Sequence, residues 1–233
     1  MLRALLFDLD DTLYAYGPCN ELALEAVHGL LCRTVVTLPG EFRALHDEVR
    51  GELAHELRGQ AASHNRVLFF KRMVERLTGE SRPSLALALF DEYWRVFYDA
   101  MVPAPDAHRV LGKLAARYPL ALVSNHTTAV QLRKLGRLDF EDYFRAVVTS
   151  EEAGVEKPAA QIFERALAAV GATATEALMI GDSVKGDIGG AAALGIPCVH
   201  TEEFTTERDT QGVSAARLQR LGDLLERLPS LSG

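Results

Sequence analysis

Short apolar runs that alternate with helix-like segments most constrain the fold of this 233-residue chain. One run begins at Leu5, and four more follow residue 103, at Leu120–Val123, Ala146–Thr149, Ala177–Ile180 and Ile196–His200. The intervening segments have helical character, at about 106–117, 127–135, 158–170, 187–194 and, last, 214–228. Strands that are nearly all apolar are typical of a parallel sheet buried on both faces. The alternation therefore predicts an α/β fold with a parallel sheet and helices on both faces.

Between the first run and residue 103 the chain carries helix signals and no strand signal. Asn20 is a candidate N-cap for a first helix, and helices are expected over about 41–58, over about 66–77 and from Pro83 onward. The aromatic residues of the last of these helices are expected to form a core. The sequence thus predicts two domains, a sheet core of residues 1–14 and 103–233 and a small all-helical insert of residues 15–102.

Polar residues follow the predicted strands where each strand ends. Asp8 and Asp10 follow the first strand, and Ser124 ends the second. Lys157 lies in the loop after the third strand, and Asp182 follows the fourth. In open parallel sheets, ligands bind outside the carboxyl ends of the strands. Each residue alone fits a solvated turn, but their common position predicts a functional site at this edge.

The residue types at this edge favour phosphate chemistry. Asp8, Asp10 and Asp182 offer hard oxygen ligands, which suit Mg²⁺. Asp8 is the candidate nucleophile that attacks phosphorus, and Asp10 the candidate acid and base that moves the proton. Ser124 and the backbone amides after it are expected to hold phosphate oxygens, and Lys157 to add positive charge.

Residues near this edge also have ordinary structural interpretations. Asp187 is either the N-cap of the helix that follows or a group that orients the water around the metal, or both. Pro158 is expected at the first helical position, which would place Lys157 close to a helix N-terminus. His126 is expected to be an exposed loop histidine.

Composition bounds the partners and the compartment. The net charge of −7 argues against binding to a nucleic-acid backbone, which needs a basic surface. No apolar run approaches the ~18 residues of a membrane span. Three widely separated cysteines without a CxxC pair favour reduced thiols, and with them a cytoplasmic location. The expected partner is a small phosphorylated metabolite, and the sequence does not indicate an oligomeric state.

Four motifs in this order resemble those of the haloacid dehalogenase-like hydrolase superfamily: Asp8–Thr12, Ser124-Asn125, Lys157-Pro158 and Gly181-Asp182 with Asp187. The resemblance covers the whole chain, and it implies a Rossmann-like core with a helical cap inserted between the first two motifs.

The resemblance also implies the roles of the residues. It gives Asp8 as the nucleophile and Asp10 as the acid and base, with Ser124, Asn125 and Lys157 binding phosphate. Mg²⁺ would be held by Asp8, Asp182 and the backbone carbonyl of Asp10, with Asp187 and Thr12 behind these ligands. The implied activity is hydrolysis of a small phosphomonoester through an aspartyl-phosphate.

Three alternatives remain open at this point: a 2-haloacid dehalogenase, a phosphomutase of the same superfamily, and a non-catalytic binding protein on this fold. Dehalogenases of the superfamily commonly lack an acid at the position of Asp10, so its presence favours phosphate chemistry. Substrate choice is expected to reside in the cap. Its candidates are polar residues around one loop, which a solvated loop explains equally well: Arg58, Gln60, His64, Asn65 and Arg66.

Overall fold

A computed structural model describes residues 1–205 and 212–231 of the chain. These residues group into two compact units. One unit, called the sheet unit here, comprises Met1–Ala15 and the chain from Val102 onward, and the other, the helical unit, comprises Tyr16–Met101. The roles of catalytic core and cap for these units remain predictions.

The sheet unit is built on six parallel strands. They are β1 (Ala4–Phe7), β2 (Leu120–Ser124), β3 (Ala146–Thr149), β4 (Ala177–Gly181), β5 (Cys198–Thr201) and β6 (Ala216–Leu218). Every neighbouring pair is parallel, and the order across the sheet is β3-β2-β1-β4-β5-β6. This is the order of a Rossmann-type sheet, whose direction of winding reverses between the first and fourth strands. The predicted α/β fold class is therefore confirmed.

Helices connect these strands. They are α5 (Ala107–Ala115), α6 (Thr128–Arg137), α7 (Ser150–Ala153), α8 (Ala160–Val170), α9 (Gly190–Ala193) and α10 (Leu224–Leu231), and a π-helical segment, Val184–Gly189, precedes α9. Single 3₁₀ turns occur at Glu141–Tyr143, Ala174–Glu176 and Leu221–Asp223.

Alternate strand residues form one core of the sheet unit. Leu6, Val123 and Met179 come from three adjacent strands and are buried together with Ile162 and Phe163 of α8. Because successive strand side chains point to opposite faces, residues two apart, such as Ala4 and Leu6, share this face. Burial of these side chains holds the strand ends, and the polar residues that follow them, in register.

The helical unit consists of α1 (Tyr16–Leu31), α2 (Pro39–Glu56), a 3₁₀ turn (Ala61–His64), α3 (Arg66–Thr78) and α4 (Pro83–Ala100). Tyr93, Trp94 and Phe97 of α4 are buried, as the aromatic spacing predicts. Their rings contact one another at centroid distances of 5.1 to 5.7 Å, edge to face for Trp94 and stacked for Tyr93 on Phe97, within the range of favourable aromatic pairs. Among the described residues, no helix is both long and apolar enough to cross a bilayer.

Two predicted elements were wrong. The first helix begins at Tyr16, so Asn20 lies inside it and is not its N-cap. The last helix, expected from residue 214, is instead β6 followed by the 3₁₀ turn and α10. Ala216–Leu218 pair with Val199–Thr201 of β5, so tertiary pairing overrides the local helical pattern.

Candidate active site

Strand β1 delivers two carboxylates at its carboxyl end. The backbone N–H of Asp8 donates to the carbonyl oxygen of Ile180 at 2.9 Å, so the pairing with β4 continues one residue past the strand. Asp8 is 6% exposed, whereas Asp10 is only partly buried. Asp11 adopts a φ of 56°, in the left-handed region that aspartate tolerates. The chain therefore turns sharply just after the two acids.

Lys157 joins two of the acidic motifs. Its ammonium lies 2.6 Å from Oδ1 of Asp8 and 2.5 Å from Oδ1 of Asp187, and it also donates to the carbonyl oxygen of Val123 at 2.8 Å. The side chain is buried, so all three ammonium protons find partners on protein atoms. The lysine that sequence reasoning assigned to phosphate is thus in contact with the candidate nucleophile.

Three carboxylates converge behind this contact. Oxygens of Asp8, Asp182 and Asp187 all lie within 4.8 Å of one another. Gly181 makes room for them, because a Cβ at this position would lie 2.5 Å from Cγ of Asp187. Thr12 donates its hydroxyl to Asp182 at 3.3 Å. The structure therefore brings Asp8, Asp182, Asp187 and Thr12 together.

The cluster carries more negative charge than its surroundings compensate. Burial, with the charges of Asp187 and Asp10 added, raises the pKa of Asp8 to about 7, although Lys157 opposes the shift. Burial and the charges of Asp8 and Asp187 raise the pKa of Asp182 to about 9. Burial lowers the pKa of Lys157, but Asp187 and Asp8 outweigh it and hold this pKa above its ordinary value. One ammonium therefore does not neutralise the three acids.

These residues fit a divalent cation. A cation would relieve the repulsion that raises the two carboxylate pKa values, and hard oxygen donors without histidine or cysteine suit Mg²⁺. Both oxygens of Asp187 already accept hydrogen bonds, one from Lys157 and the other from the backbone N–H of Ser183 at 3.0 Å. Asp8 and Asp182 are therefore the side chains better placed to hold the ion.

The Asp10 carboxylate is held by a different lysine. Lys134 of α6 is fully buried, and its ammonium lies 2.7 and 2.8 Å from the two oxygens of Asp10. The hydroxyl of Tyr14 donates to the same carboxylate at 2.5 Å. Burial acts to raise the pKa of Asp10, but Lys134 and Tyr14 outweigh it and lower this pKa below its ordinary value. Asp10 is thus an ionised carboxylate, separate from the three clustered acids.

Sequence reasoning missed Lys134. A lysine is almost never fully buried unless it is paired, and no local pattern indicates the partner of this one. The available signal was its spacing, because Lys134 follows Val130 by four residues and is flanked by Leu135 on a buried stripe of α6.

Ser124 and Asn125 end β2 with different contacts. The Ser124 hydroxyl is buried and accepts a hydrogen bond from the side-chain amide of Gln131. Both side-chain atoms of Asn125 bind the backbone of Lys157, at 2.7 Å to its N–H and 3.0 Å to its carbonyl. Asn125 therefore positions Lys157, and a phosphate-binding role for either residue remains a prediction.

Three local expectations near the site were wrong. Ser183, not Asp187, caps the π-helical segment, through a bond from the N–H of Gly186 to its hydroxyl. Helix α8 begins at Ala160, so Pro158 is not its first residue, and the Lys157-Pro158 bond is cis. His126 is 4% exposed and accepts a hydrogen bond from the N–H of Thr127 on its Nδ1, so it is a buried residue.

Known proteins resemble this chain in sequence and in structure. The chain matches the family described as haloacid dehalogenase-like hydrolase over residues 2–195. It is 40% identical to a ribulose-1,5-bisphosphate 5-phosphatase of Halopiger xanaduensis, over 96% of this chain and 94% of that protein. It is 32% identical to a glyceraldehyde 3-phosphate phosphatase of Methanothermobacter thermautotrophicus, over 90% of each. A 2-haloacid dehalogenase from Pseudomonas syringae has a similar structure, with a TM-score of 0.78, 25% identity and 99% of each chain covered.

Proposed function

The chain belongs to the haloacid dehalogenase-like hydrolases, and on that premise we propose that it is a Mg²⁺-dependent phosphatase of small phosphorylated metabolites. The observation that carries the proposal is the arrangement of two carboxylates with separate lysines. Asp8 contacts Lys157, and Asp10 contacts Lys134. The two neighbouring acids are thus held in different environments, which suits one for attack and the other for proton transfer.

In the first half of the proposed reaction, an oxygen of Asp8 attacks phosphorus and the bond to the leaving alkoxide breaks. The product is a phospho-Asp8 intermediate, which divides one difficult displacement into two. Asp10 supplies a proton to the leaving oxygen. Lys157 opposes the burial that raises the pKa of Asp8 and thereby favours the ionised form that can attack. To hold a phosphate oxygen together with the Ser124 hydroxyl, the ammonium exchanges one of its three protein contacts for the substrate.

In the second half, Asp10 removes a proton from a water molecule, which attacks phosphorus and releases phosphate with Asp8 restored. The ionised state that Lys134 and Tyr14 impose on Asp10 suits this basic step. The acidic step needs a proton on the same carboxylate, so the contact with Lys134 has to weaken in the loaded enzyme. Asp10 is thus expected to alternate between two protonation states during each turnover.

The metal is proposed to bind Asp8 and Asp182, with the backbone carbonyl of Asp10 as a third ligand by resemblance to the family. When bound, Mg²⁺ would polarise a phosphoryl oxygen and offset the charge of the cluster. Asp187 orients the ammonium of Lys157, and Thr12 orients Asp182 through its hydroxyl.

We propose a sugar phosphate as the substrate class. The two phosphatase relatives described above are named for ribulose 1,5-bisphosphate and glyceraldehyde 3-phosphate, which are both sugar phosphates. A phosphatase also accounts for Asp10 better than a dehalogenase does, because halide needs no proton on leaving. A cytoplasmic location remains a prediction.

The test is a panel of phosphate esters with Mg²⁺, in which released phosphate is measured with and without EDTA. We expect sugar phosphates to be hydrolysed and EDTA to abolish the activity. Halide release from a 2-haloacid without metal would favour a dehalogenase instead. Transfer of phosphate within the substrate would favour a phosphomutase. Hydrolysis of no ester above background would favour a non-catalytic binding protein.

A further inference from the structure

A buried histidine continues the contact between β4 and β5 beyond the end of their backbone pairing. The two strands pair as far as Gly181 and His200, and Asp182 is the next residue after β4. Nε2 of His200 lies 2.8 Å from the carbonyl oxygen of Asp182. Because a carbonyl oxygen only accepts, Nε2 carries the hydrogen and donates it. A side chain of β5 therefore supplies the hydrogen bond to the residue that follows the end of β4.

This hydrogen bond is the one polar contact that accounts for a histidine at this position. The side chain is fully buried, and its Nδ1 has no hydrogen-bond partner within the described part of the chain. Nδ1 lies 3.8 Å from Oε1 of Glu202, which is beyond hydrogen-bonding distance. A buried polar group costs free energy unless it is hydrogen-bonded. The imidazole is therefore explained by its bond to Asp182.

The position of the Asp182 carboxylate depends more on its backbone than that of the other two clustered acids. Asp8 accepts a hydrogen bond from Lys157 at 2.6 Å, and both oxygens of Asp187 accept hydrogen bonds. Among the described residues, the carboxylate of Asp182 accepts one bond, from the hydroxyl of Thr12 at 3.3 Å. This distance is long for a hydroxyl donor, whose bonds are ordinarily about 2.7 to 2.8 Å. A fixed backbone is thus what directs this carboxylate.

The chain leaves the sheet directly after Asp182. Ser183 caps the π-helical segment Val184–Gly189, whose bonds are largely internal. The N–H of Asp187 donates to the carbonyl oxygen of Ser183 at 2.9 Å, and the N–H of Gly186 donates to the hydroxyl of Ser183 at 3.1 Å. These bonds fix the shape of the segment but not the direction of the peptide group at its start. The imidazole N–H fixes that peptide group.

We propose that His200 is a positioning residue of the metal site. Its N–H holds the peptide group of Asp182 and thereby directs the carboxylate toward the ion. The proposal rests on the proposed function, in which Asp8 and Asp182 hold Mg²⁺. Groups that hold the ligands of a metal in place change its affinity without touching the ion. His200 lies outside the four motifs on which the resemblance to the family rests.

The first arm of the test measures Mg²⁺ affinity by calorimetry in the full chain. His200→Leu removes the N–H and keeps a buried apolar side chain, so we expect binding to weaken by about 10-fold or more. His200→Gln restores an N–H at a similar reach from the backbone, and it should recover part of the affinity. Val199→Ala, at a fully buried neighbour on β5, is the control. It should lower stability and leave the Mg²⁺ affinity unchanged.

The second arm measures hydrogen–deuterium exchange in EDTA, in the peptide that contains residues 181–189. Loss of the hydrogen bond to Asp182 makes local opening of this segment easier, so we expect exchange in His200→Leu to be about 3- to 10-fold faster than in the wild type. His200→Gln should lie between the two. Val199→Ala should exchange like the wild type in this segment.

Equal Mg²⁺ affinity in His200→Leu and Val199→Ala would overturn the proposal. It would do so even with faster exchange in His200→Leu, because the hydrogen bond would then serve the fold alone. Absence of Mg²⁺ binding in the wild type would reject the proposed function instead. The exchange arm needs neither metal nor turnover, so it would still decide whether His200 holds Asp182.

Discussion

The buried ammonium of Lys134 lies 2.7 and 2.8 Å from the two carboxylate oxygens of Asp10. The same ammonium lies 5.8 Å from the centre of the Tyr14 ring, whose hydroxyl donates to Asp10. A carboxylate in this position is ionised at neutral pH, and its location depends on a residue 124 positions away in the sequence. Lys134 therefore determines both the charge and the place of the candidate acid and base.

Removal of this ammonium should destabilise the fold in a pH-dependent way. Lys134→Met leaves a partly buried carboxylate unpaired, which we expect to cost about 2 to 4 kcal/mol at pH 7. Without Lys134, the pKa of Asp10 rises, and Asp10 takes up a proton as the pH falls. The stability lost in Lys134→Met is therefore smaller at about pH 5 than at pH 7. Urea unfolding at both pH values measures this. Arg133→Met, at an exposed neighbour, is the control, and equal losses in the two variants would contradict the account.

Replacement of the nucleophile should abolish turnover and spare the fold. Asp8→Asn keeps the shape of the side chain but cannot form an acyl phosphate, so we expect phosphate release from an aryl phosphate to fall by more than about 1,000-fold. Asp11→Asn is the matched control, because asparagine tolerates the same left-handed backbone. Circular dichroism checks the fold. Activity of Asp8→Asn close to that of Asp11→Asn would refute the assignment.

The stability of the metal-free chain should fall as the pH rises. The folded-state pKa values of Asp8, about 7, and Asp182, about 9, exceed the ordinary value of 3.8. The folded chain therefore retains protons that the unfolded chain has lost, and this stabilisation disappears as the pH passes from about 4 to 9.

Denaturant unfolding at pH 5, 7 and 9 in EDTA tests this expectation. Asp182→Asn should reduce the slope, because it removes one of the raised pKa values. Saturating Mg²⁺ should also reduce it, because a bound cation favours the ionised acids. A metal-free wild type that gains stability over this range would contradict the expectation.

Gly181 should be required for the carboxylate cluster. Gly181→Ala introduces a Cβ that would lie 2.5 Å from Cγ of Asp187, so Asp187 has to move. We expect a loss of about 1 to 3 kcal/mol in stability and weaker binding of Mg²⁺, measured by unfolding and by calorimetry. Gly29→Ala in α1 is the control, because no atom lies within 4 Å of the added methyl group. An equal Mg²⁺ affinity in both variants would contradict the expectation that a Cβ at position 181 disturbs the carboxylate cluster.

The strand ends could be predicted from sequence because their signals are local. Apolar runs that end in Asp8, Ser124 and Asp182 identify a parallel sheet and its carboxyl edge without any tertiary information. The lack of such runs between the first strand and residue 103 likewise distinguishes the helical segment from the segments that form the sheet.

The elements that escaped prediction depend on distant partners. Ala216–Leu218 form a strand only because β5 offers an edge to pair with. Asn20 lies inside a helix, where its side chain accepts a hydrogen bond from the hydroxyl of Tyr93. Lys134 is buried only because Asp10 reaches it. None of these partners lies within the local window that secondary-structure patterns use.

The central claim is that Asp8 carries the phosphoryl group during turnover. Acid quenching of the enzyme during steady-state hydrolysis, followed by mass spectrometry of the peptide that contains Asp8, tests it most directly. The account predicts a phosphoryl adduct on Asp8 that disappears in EDTA and in Asp8→Asn. Hydrolysis that proceeds with Asp8 unmodified and the adduct on another residue would contradict it.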